Sequence, residues 1–236
     1  MQYFLYIPLA FIPSVIWLLW YLRKDRHPEP KRMIIRVFIW GMLIAFPAIL
    51  IENAGIGILG TFALPPFVAN ILIYFLIVAV TEEVLKFFVV HFRVQRRTRL
   101  LDEPVDAMIY MIVAALGFAA IENIFLLTPL FEKDFVATLH IAFSRFVGAT
   151  LLHALASGII GYYLALRIFK KGQKGFPPLI HGFILAILLH GFYNILVIQT
   201  EQQFYFVLPV ALLIISAAVL VSIFFKKPSK MKVTKI

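Results

Sequence analysis

Two adjacent carboxylates and a lysine, Glu82, Glu83 and Lys86, stand inside the otherwise apolar stretch Phe67–Phe92. On a helix Lys86 is four residues after Glu82 and three after Glu83, so one ammonium reaches both. A charge at the centre of a bilayer costs at least about 2.5–3.5 kcal/mol, so three within one span point to use. A buried ion pair locking two helices is the bland explanation, and it leaves one carboxylate over. Two neighbouring carboxylates also resist joint ionisation, which suits a group that accepts a proton and returns it. The chemistry this implies is activation of water, with one glutamate held by Lys86 and the other facing the water.

Other apolar segments add Glu122–Asn123, His153, and His190 with Asn194. Alone, Glu122 and Asn123 read equally well as interhelical hydrogen-bonding residues. His153 precedes Ser157, Gly158 and Gly161, small residues that allow close helix packing, and a lone histidine there is commonly an interhelical donor. With a second histidine at His190, metal ligation becomes the better reading, since imidazole is a common zinc ligand. Glu122 then joins as a ligand or as a carboxylate behind one. Asn194 lies four residues past His190 on the same helix face, placed to orient the imidazole or meet a substrate carbonyl. His181 points nearly opposite to His190, while His27, His91 and His140 lie near span ends and read as interfacial.

These residues need membrane-spanning elements to hold them. The chain has 236 residues, 62% hydrophobic and 14% charged, too apolar for a soluble domain. Its apolar runs are continuous rather than alternating, which excludes a β-barrel and gives an all-α, polytopic membrane protein. With 0 cysteines there is no disulfide, thiolate metal site or cysteine nucleophile. Seven spans are expected, at Tyr3–Leu22, Ile34–Ile51, Phe67–Phe92, Val105–Leu127, Ala137–Ile168, Leu179–Ile198 and Phe204–Phe225. The first lacks a basic leader and a small-residue cleavage site, so it reads as a retained span. Ala137–Ile168 is too long for one upright span, and its first turns, around His140 and Arg145, read as interfacial or tilted.

Of the 22 Lys and Arg residues, 19 fall on alternate connections: around Arg23–Arg36, Arg93–Arg99 and Arg167–Lys174, and in the tail from Lys226. The intervening loops carry only Lys133, so the positive-inside rule puts the N-terminus out and the C-terminus in. The net charge of +10 is therefore a topology signal, and no nucleic-acid partner is implied. Counting about 1.5 Å per residue from the cytoplasmic ends places Glu83 at ~15 Å, Glu122 at ~27 Å, His153 at ~21 Å and His190 at ~20 Å. They fall from mid-bilayer outward and are expected to meet in one cavity opening to the outside. Two loop motifs have mundane explanations: Asp102–Asp106 as an acidic cap with proline near the first helical turn, and Asp25–Pro30 as a proline-bearing helix stop.

Taken in order, these pieces resemble the PrsW family of intramembrane metalloproteases, distant relatives of the CAAX-processing and bacteriocin-immunity membrane proteases. Asp25–Pro30 is similar to its post-helix turn, and Glu82-Glu83-x-x-Lys86 to its EExxK motif. Asp102-x-x-x-Asp106 with Phe118-x-x-x-Glu122-Asn123 matches the next block. His153-Ala-Leu with its glycine-rich run, then Leu189-His190-Gly-x-x-Asn194, match the last two. The likeness covers about residues 1–200, within a single protease domain spanning 1–236 whose motif-bearing core is about 70–198. It implies proteolysis of single-span, membrane-anchored substrates in a bacterial cell membrane. The best-known member of that family makes the outward-side (site-1) cut in an anti-sigma factor during a stress response. Carried over, Glu82, Glu83 and His190 form the catalytic core and Glu122 and His153 are companions. Asn194 departs from the Asp found in some members, which argues against a carboxylate ligand there.

The resulting expectation is a glutamate-dependent intramembrane endopeptidase. One of Glu82 or Glu83 activates water, Lys86 positions the other, and Asn194 aids the oxyanion or steadies His190. His153, His190 and Glu122 hold a zinc ion. A metal-free variant, with the histidines as oxyanion donors, is the alternative mechanism. A proton- or ion-coupled transporter is the rival from another class, though no internal repeat or paired broken spans favour it. A non-catalytic binding or immunity protein is the third.

Overall fold

A computed structural model describes residues 3–25, 27–95, 100–131, 134–169, 177–202 and 207–226, and every regular element among them is helical. The helices are α1 (Tyr3–Leu22), α2 (Lys31–Leu59), α3 (Pro66–Ile71), α4 (Val80–Val90), α5 (Pro104–Phe131), α6 (Phe135–Val147), α7 (Ala149–Phe169), α8 (Pro177–Gln202) and α9 (Val207–Lys226). Five stretches are long and apolar enough to cross a membrane: Lys31–Leu59, Pro66–Val94, Pro104–Leu130, Phe135–Phe169 and Pro177–Ile198. Ile7–Leu22 and Val210–Lys226 are shorter apolar helices. Each of the seven expected spans overlaps one of these, although Phe204, the expected start of the last, lies outside the described residues.

The bundle is built around α5. Residues Ala107 to Leu116 expose at most 1% of their surface, so α5 is enclosed on all sides. It packs along α7, α2 and α1, and its composition explains how. Apolar lipid gives helices no hydrophobic reason to associate, so close backbone approach at small residues does the work. A Cβ on Gly117 would run into the Phe38 carbonyl of α2, and one on Gly41 into the Ala114 carbonyl of α5. Small side chains on α7 extend the pattern, with Ala154, Ala156, Ser157 and Gly158 all buried. Meanwhile Leu50, Ile58, Phe67 and Leu208 are among many large apolar side chains left exposed, as suits a surface facing lipid.

Two departures from straight helices shape the interior. Between α3 and α4 the backbone is π-helical over Leu72–Ala79, and a second π segment, His91–Gln95, follows α4. A π turn holds more residues than an α turn, so it changes which side chains face the core beyond it. The long fifth segment is broken at Gly148 into α6 and α7 rather than merely tilted. Asp134 caps α6 by accepting a hydrogen bond from the Ala137 amide at 3.0 Å. At Gly148 a Cβ would meet the Tyr193 hydroxyl of α8, so glycine is what lets α8 come close. Trp17 of α1 ties the end of α6 down by donating to the Phe146 carbonyl at 2.9 Å.

Candidate active site

The acidic pair sits on the first turn of α4, immediately after the π segment, with Glu82, Glu83 and Lys86 all buried. Lys86 Nζ donates to Glu82 Oε2 at 2.9 Å and to Glu83 Oε1 at 2.8 Å, the pairing that the i+4 and i+3 spacing predicts. Its third polar neighbour is His153 Nδ1 on α7, 2.8 Å away, and the Phe118 ring of α5 covers the ammonium at 4.5 Å. An ammonium only donates, so His153 Nδ1 accepts and the ring proton sits on Nε2. That proton is donated to Glu122 Oε2 of α5 at 2.7 Å.

The chain of bonds continues outward from there. Arg145 of α6 places Nη2 3.0 Å from Glu122 Oε2, and its Nε–H donates to Asn123 Oδ1 at 2.5 Å. Asn123 donates in turn to the Ala10 carbonyl and to Thr150 Oγ1, both at 3.2 Å. One arginine therefore joins α6 to both polar residues of α5, and Asn123 joins α5 to α1 and α7.

The two glutamates differ in how fully they are engaged. Glu83 accepts from Lys86 and, at 3.0 Å, from His190 Nδ1 through Oε1; Ser157 donates to its Oε2 at 2.9 Å. Glu82 makes one hydrogen bond, to Lys86, and its Oε1 bonds nothing among the described residues. A carboxylate only accepts, so His190 carries a proton on Nδ1 and turns Nε2 toward Glu82. That nitrogen lies 3.9 Å from Glu82 Oε2. The Glu82 carboxylate and the Nε2 edge of His190 thus lie on the same side of the site, with the Lys86-bonded oxygen the one 3.9 Å from the imidazole.

Glu82, Glu83, His153 and His190 each present a ligand atom within 4.8 Å of the others, all four buried. Two imidazole nitrogens and two carboxylates, with no thiolate competing, fit a zinc-like divalent ion. Such an ion would take over lone pairs on Glu83 and His153 that Lys86 engages. Glu122, expected among the ligands, lies outside this group and instead accepts the Nε2 proton of His153. That is the position of a carboxylate that fixes a metal-binding imidazole. Asn194 is half-buried one turn past His190 and makes no hydrogen bond among the described residues. His140 is exposed, His91 stacks on Phe87, and His181 donates to the Pro177 carbonyl, so these three histidines stay outside the cluster.

Two residues near the site were not among the expected ones. Glu52 of α2 lies within electrostatic reach of Glu82, Glu122 and Lys86, and its Oε1 is buried without a hydrogen-bond partner. The expected second span ended at Ile51, one residue short, but apolar residues continue to Leu59 and carry the helix past Glu52. Arg145, expected in an interfacial or tilted turn, instead faces the Glu122–Asn123 pair, and a lone arginine in an apolar helix is the signal that it needs an internal partner.

Comparison with known proteins agrees with the geometry. The sequence model described as PrsW family intramembrane metalloprotease matches residues 29–223. The chain is 33% identical to Protease PrsW of Geobacillus kaustophilus over 186 residues, covering 79% of this chain and 76% of that one. It is 34% identical to Protease PrsW of Oceanobacillus iheyensis, covering 77% and 78%. With Protease PrsW of Bacillus subtilis the identity is 28%, covering 87% and 88%. No solved structure matches.

Proposed function

The chain belongs to the PrsW family of intramembrane metalloproteases, and from that premise we propose that Glu82 is its general base. The observation that carries this is the contrast between the glutamates: Glu83 accepts hydrogen bonds on both oxygens, whereas Glu82 accepts on Oε2 alone and keeps Oε1 unbonded among the described residues. A general base must reach a water's proton within hydrogen-bond distance, and only Glu82 has an oxygen to spare.

His153 Nδ1, His190 Nε2 and Glu83 are the residues we assign to the metal, a two-histidine, one-carboxylate set with room for a fourth position. When bound, zinc supplies Lewis acidity, lowering the pKa of water and polarising the scissile carbonyl. Glu82 takes a proton from the water as its oxygen bonds to the carbonyl carbon. It returns that proton to the amide nitrogen as the C–N bond breaks, giving a new carboxyl and a new amine terminus. Lys86 keeps the charge of two adjacent carboxylates bearable and aims Glu82. Glu122, itself held by Arg145, fixes the His153 tautomer so that Nδ1 faces the cluster. Asn194 is assigned to the developing oxyanion, as a donor one turn from His190.

The seven-span topology, with N-terminus out and C-terminus in a bacterial cell membrane, is part of this proposal and rests on the charge asymmetry. The substrate we assign is a single-span membrane protein of the anti-sigma-factor type, cut on its outward side; the family resemblance supports it. The test is cleavage of a single-span substrate by the purified chain in detergent. Wild-type protein should cut and lose activity with a chelator, while Glu82→Gln should be inactive yet folded. Cleavage by Glu82→Gln at the wild-type rate would overturn the assignment.

A further inference from the structure

A second group of carboxylates lies at the other end of α5 from Glu122. Asp25 follows α1, Glu29 precedes α2, and Asp106 is on the first turn of α5; each presents an oxygen within 4.8 Å of the others. Two segments distant in sequence, the α1–α2 connection and the start of α5, thus bring three acids to one place. Asp25 is 8% exposed, Glu29 9% and Asp106 1%, so water does little to screen them.

Each acid accepts a hydrogen bond from a protein donor, and the acids also meet one another, Asp106 lying within side-chain hydrogen-bonding reach of Glu29 and of a fourth carboxylate, Asp102. The His27 amide donates to Asp25 Oδ1 at 3.0 Å, the Tyr110 hydroxyl to Glu29 Oε2 at 2.5 Å, and the Glu103 amide to Asp106 Oδ2 at 2.6 Å. Asp25 Oδ2 remains buried with no hydrogen-bond partner among the described residues. Among the described residues no lysine or arginine forms an ion pair with any of the three; the nearby His27 pairs with Glu103 instead. Burial holds the carboxyl groups of Asp25 and Glu29 above their ordinary values, the sign of charge that lacks a counter-ion.

Converging, buried carboxylates, one with an oxygen unbonded and none paired with a cationic side chain among the described residues, are what a hard divalent cation requires. An acidic helix cap explains Asp106 but not why Asp25 and Glu29 are buried against it. We propose that Asp25, Glu29 and Asp106 form a second cation site, distinct from the Glu82 cluster, for an ion of the Mg2+ or Ca2+ class. Oxygen-only ligands select such ions over zinc, and waters complete the coordination. Its role is to clamp the α1–α2 connection onto the start of α5, the helix on which the bundle is built.

The test uses the full chain in detergent, stripped with chelator and then titrated with Mg2+ or Ca2+ alone while thermal unfolding is followed. At a cation concentration ten times its Kd, the melting temperature should rise by about 3–6 °C. Glu82→Gln should respond as wild type does. Asp25→Asn and Glu29→Gln should not respond, and without cation Asp25→Asn should melt at or above wild type, because like-charge repulsion is relieved. Bound Mn2+, counted by electron paramagnetic resonance, gives a direct readout should a variant fold poorly: wild type should hold one such ion beyond the zinc content. The absence of that ion, or an equal thermal response in wild type and Asp25→Asn, overturns the proposal.

Discussion

Glu82→Gln and Glu83→Gln remove the same charge from neighbouring positions, yet their consequences should diverge. Glu83 accepts three hydrogen bonds in a buried setting, from Lys86, His190 and Ser157. Bonds to charged groups contribute about 1.5–3 kcal/mol each in soluble proteins, but interhelical bonds in membranes average only about 0.6. A glutamine can accept part of this set, while its amide hydrogens face the Lys86 and His190 donors. The resulting loss is about 2–4 kcal/mol, or ~4–16 °C in melting temperature at about 2–4 °C per kcal/mol. Glu82 makes one such bond, so Glu82→Gln should cost about 1 kcal/mol or less. Activity should fall in both, by about 10²–10⁴-fold for Glu82→Gln through loss of the base. Zinc content separates the roles: it should be retained in Glu82→Gln and lost in Glu83→Gln. Thermal melting in detergent, elemental analysis and substrate cleavage on the same preparations read all three. A stable, zinc-loaded, inactive Glu83→Gln beside a metal-free Glu82→Gln would refute the assignment and exchange the two residues.

Reporter fusions after Lys133 and Glu201 should read outside and those after Arg97, Lys171 and Lys230 inside; a cytoplasmic signal at Lys133 contradicts the topology. His153→Ala and His190→Ala should each lower metal content and cleavage together, from about one zinc per chain in wild type. Full activity after exhaustive chelation would instead favour direct activation of water by glutamate, with the histidines as donors to the substrate. Glu122→Gln should reduce metal affinity or activity by about 10–100-fold, the usual effect of losing a carboxylate behind a ligating histidine. Arg145→Met should act in the same direction, and a rise in either quantity would remove Arg145 from the site. Lys86→Met should lose stability as well as activity, because two buried carboxylates lose the cation they share.

What was legible in the sequence is what depends on residue type and helical period. Glu82, Glu83 and Lys86 declare their pairing through i+3 and i+4 spacing, and the structure forms those bonds. His153 and His190 are set on different helices, and matching depths along apolar runs placed them at one level. Depth along a helix says nothing of rotation about it, and rotation decided the rest. Glu122 approaches His153 from the side away from Glu82, so a residue of suitable type and depth lies beyond the ligand group. The π segment Leu72–Ala79 has no sequence signature in a uniformly apolar run, yet it sets the facing of everything on α4. The break at Gly148 was visible only as excess length. Its position follows from the close approach of Tyr193, a tertiary contact that the local sequence does not announce.

The break at Gly148 also explains how Arg145 reaches the site. Were α6 and α7 one continuous helix, Arg145 would stand eight residues before His153, a little over two turns away along the same axis. The break frees α6 to turn Arg145 toward Glu122 and Asn123 while α7 continues with His153 facing Lys86. The outer end of the polar network is thereby carried by a short helix capped by Asp134 and fastened by Trp17, and the inner end by the buried hub. The buried charges of Glu82, Glu83 and Lys86, together with the half-buried Glu122, are held by bonds among α4, α5, α6, α7 and α8, so the charge is tolerable only when all five helices are in place. In a lipid setting, where apolar surface contributes little to helix association, the network that performs the chemistry is also a large part of what specifies the packing.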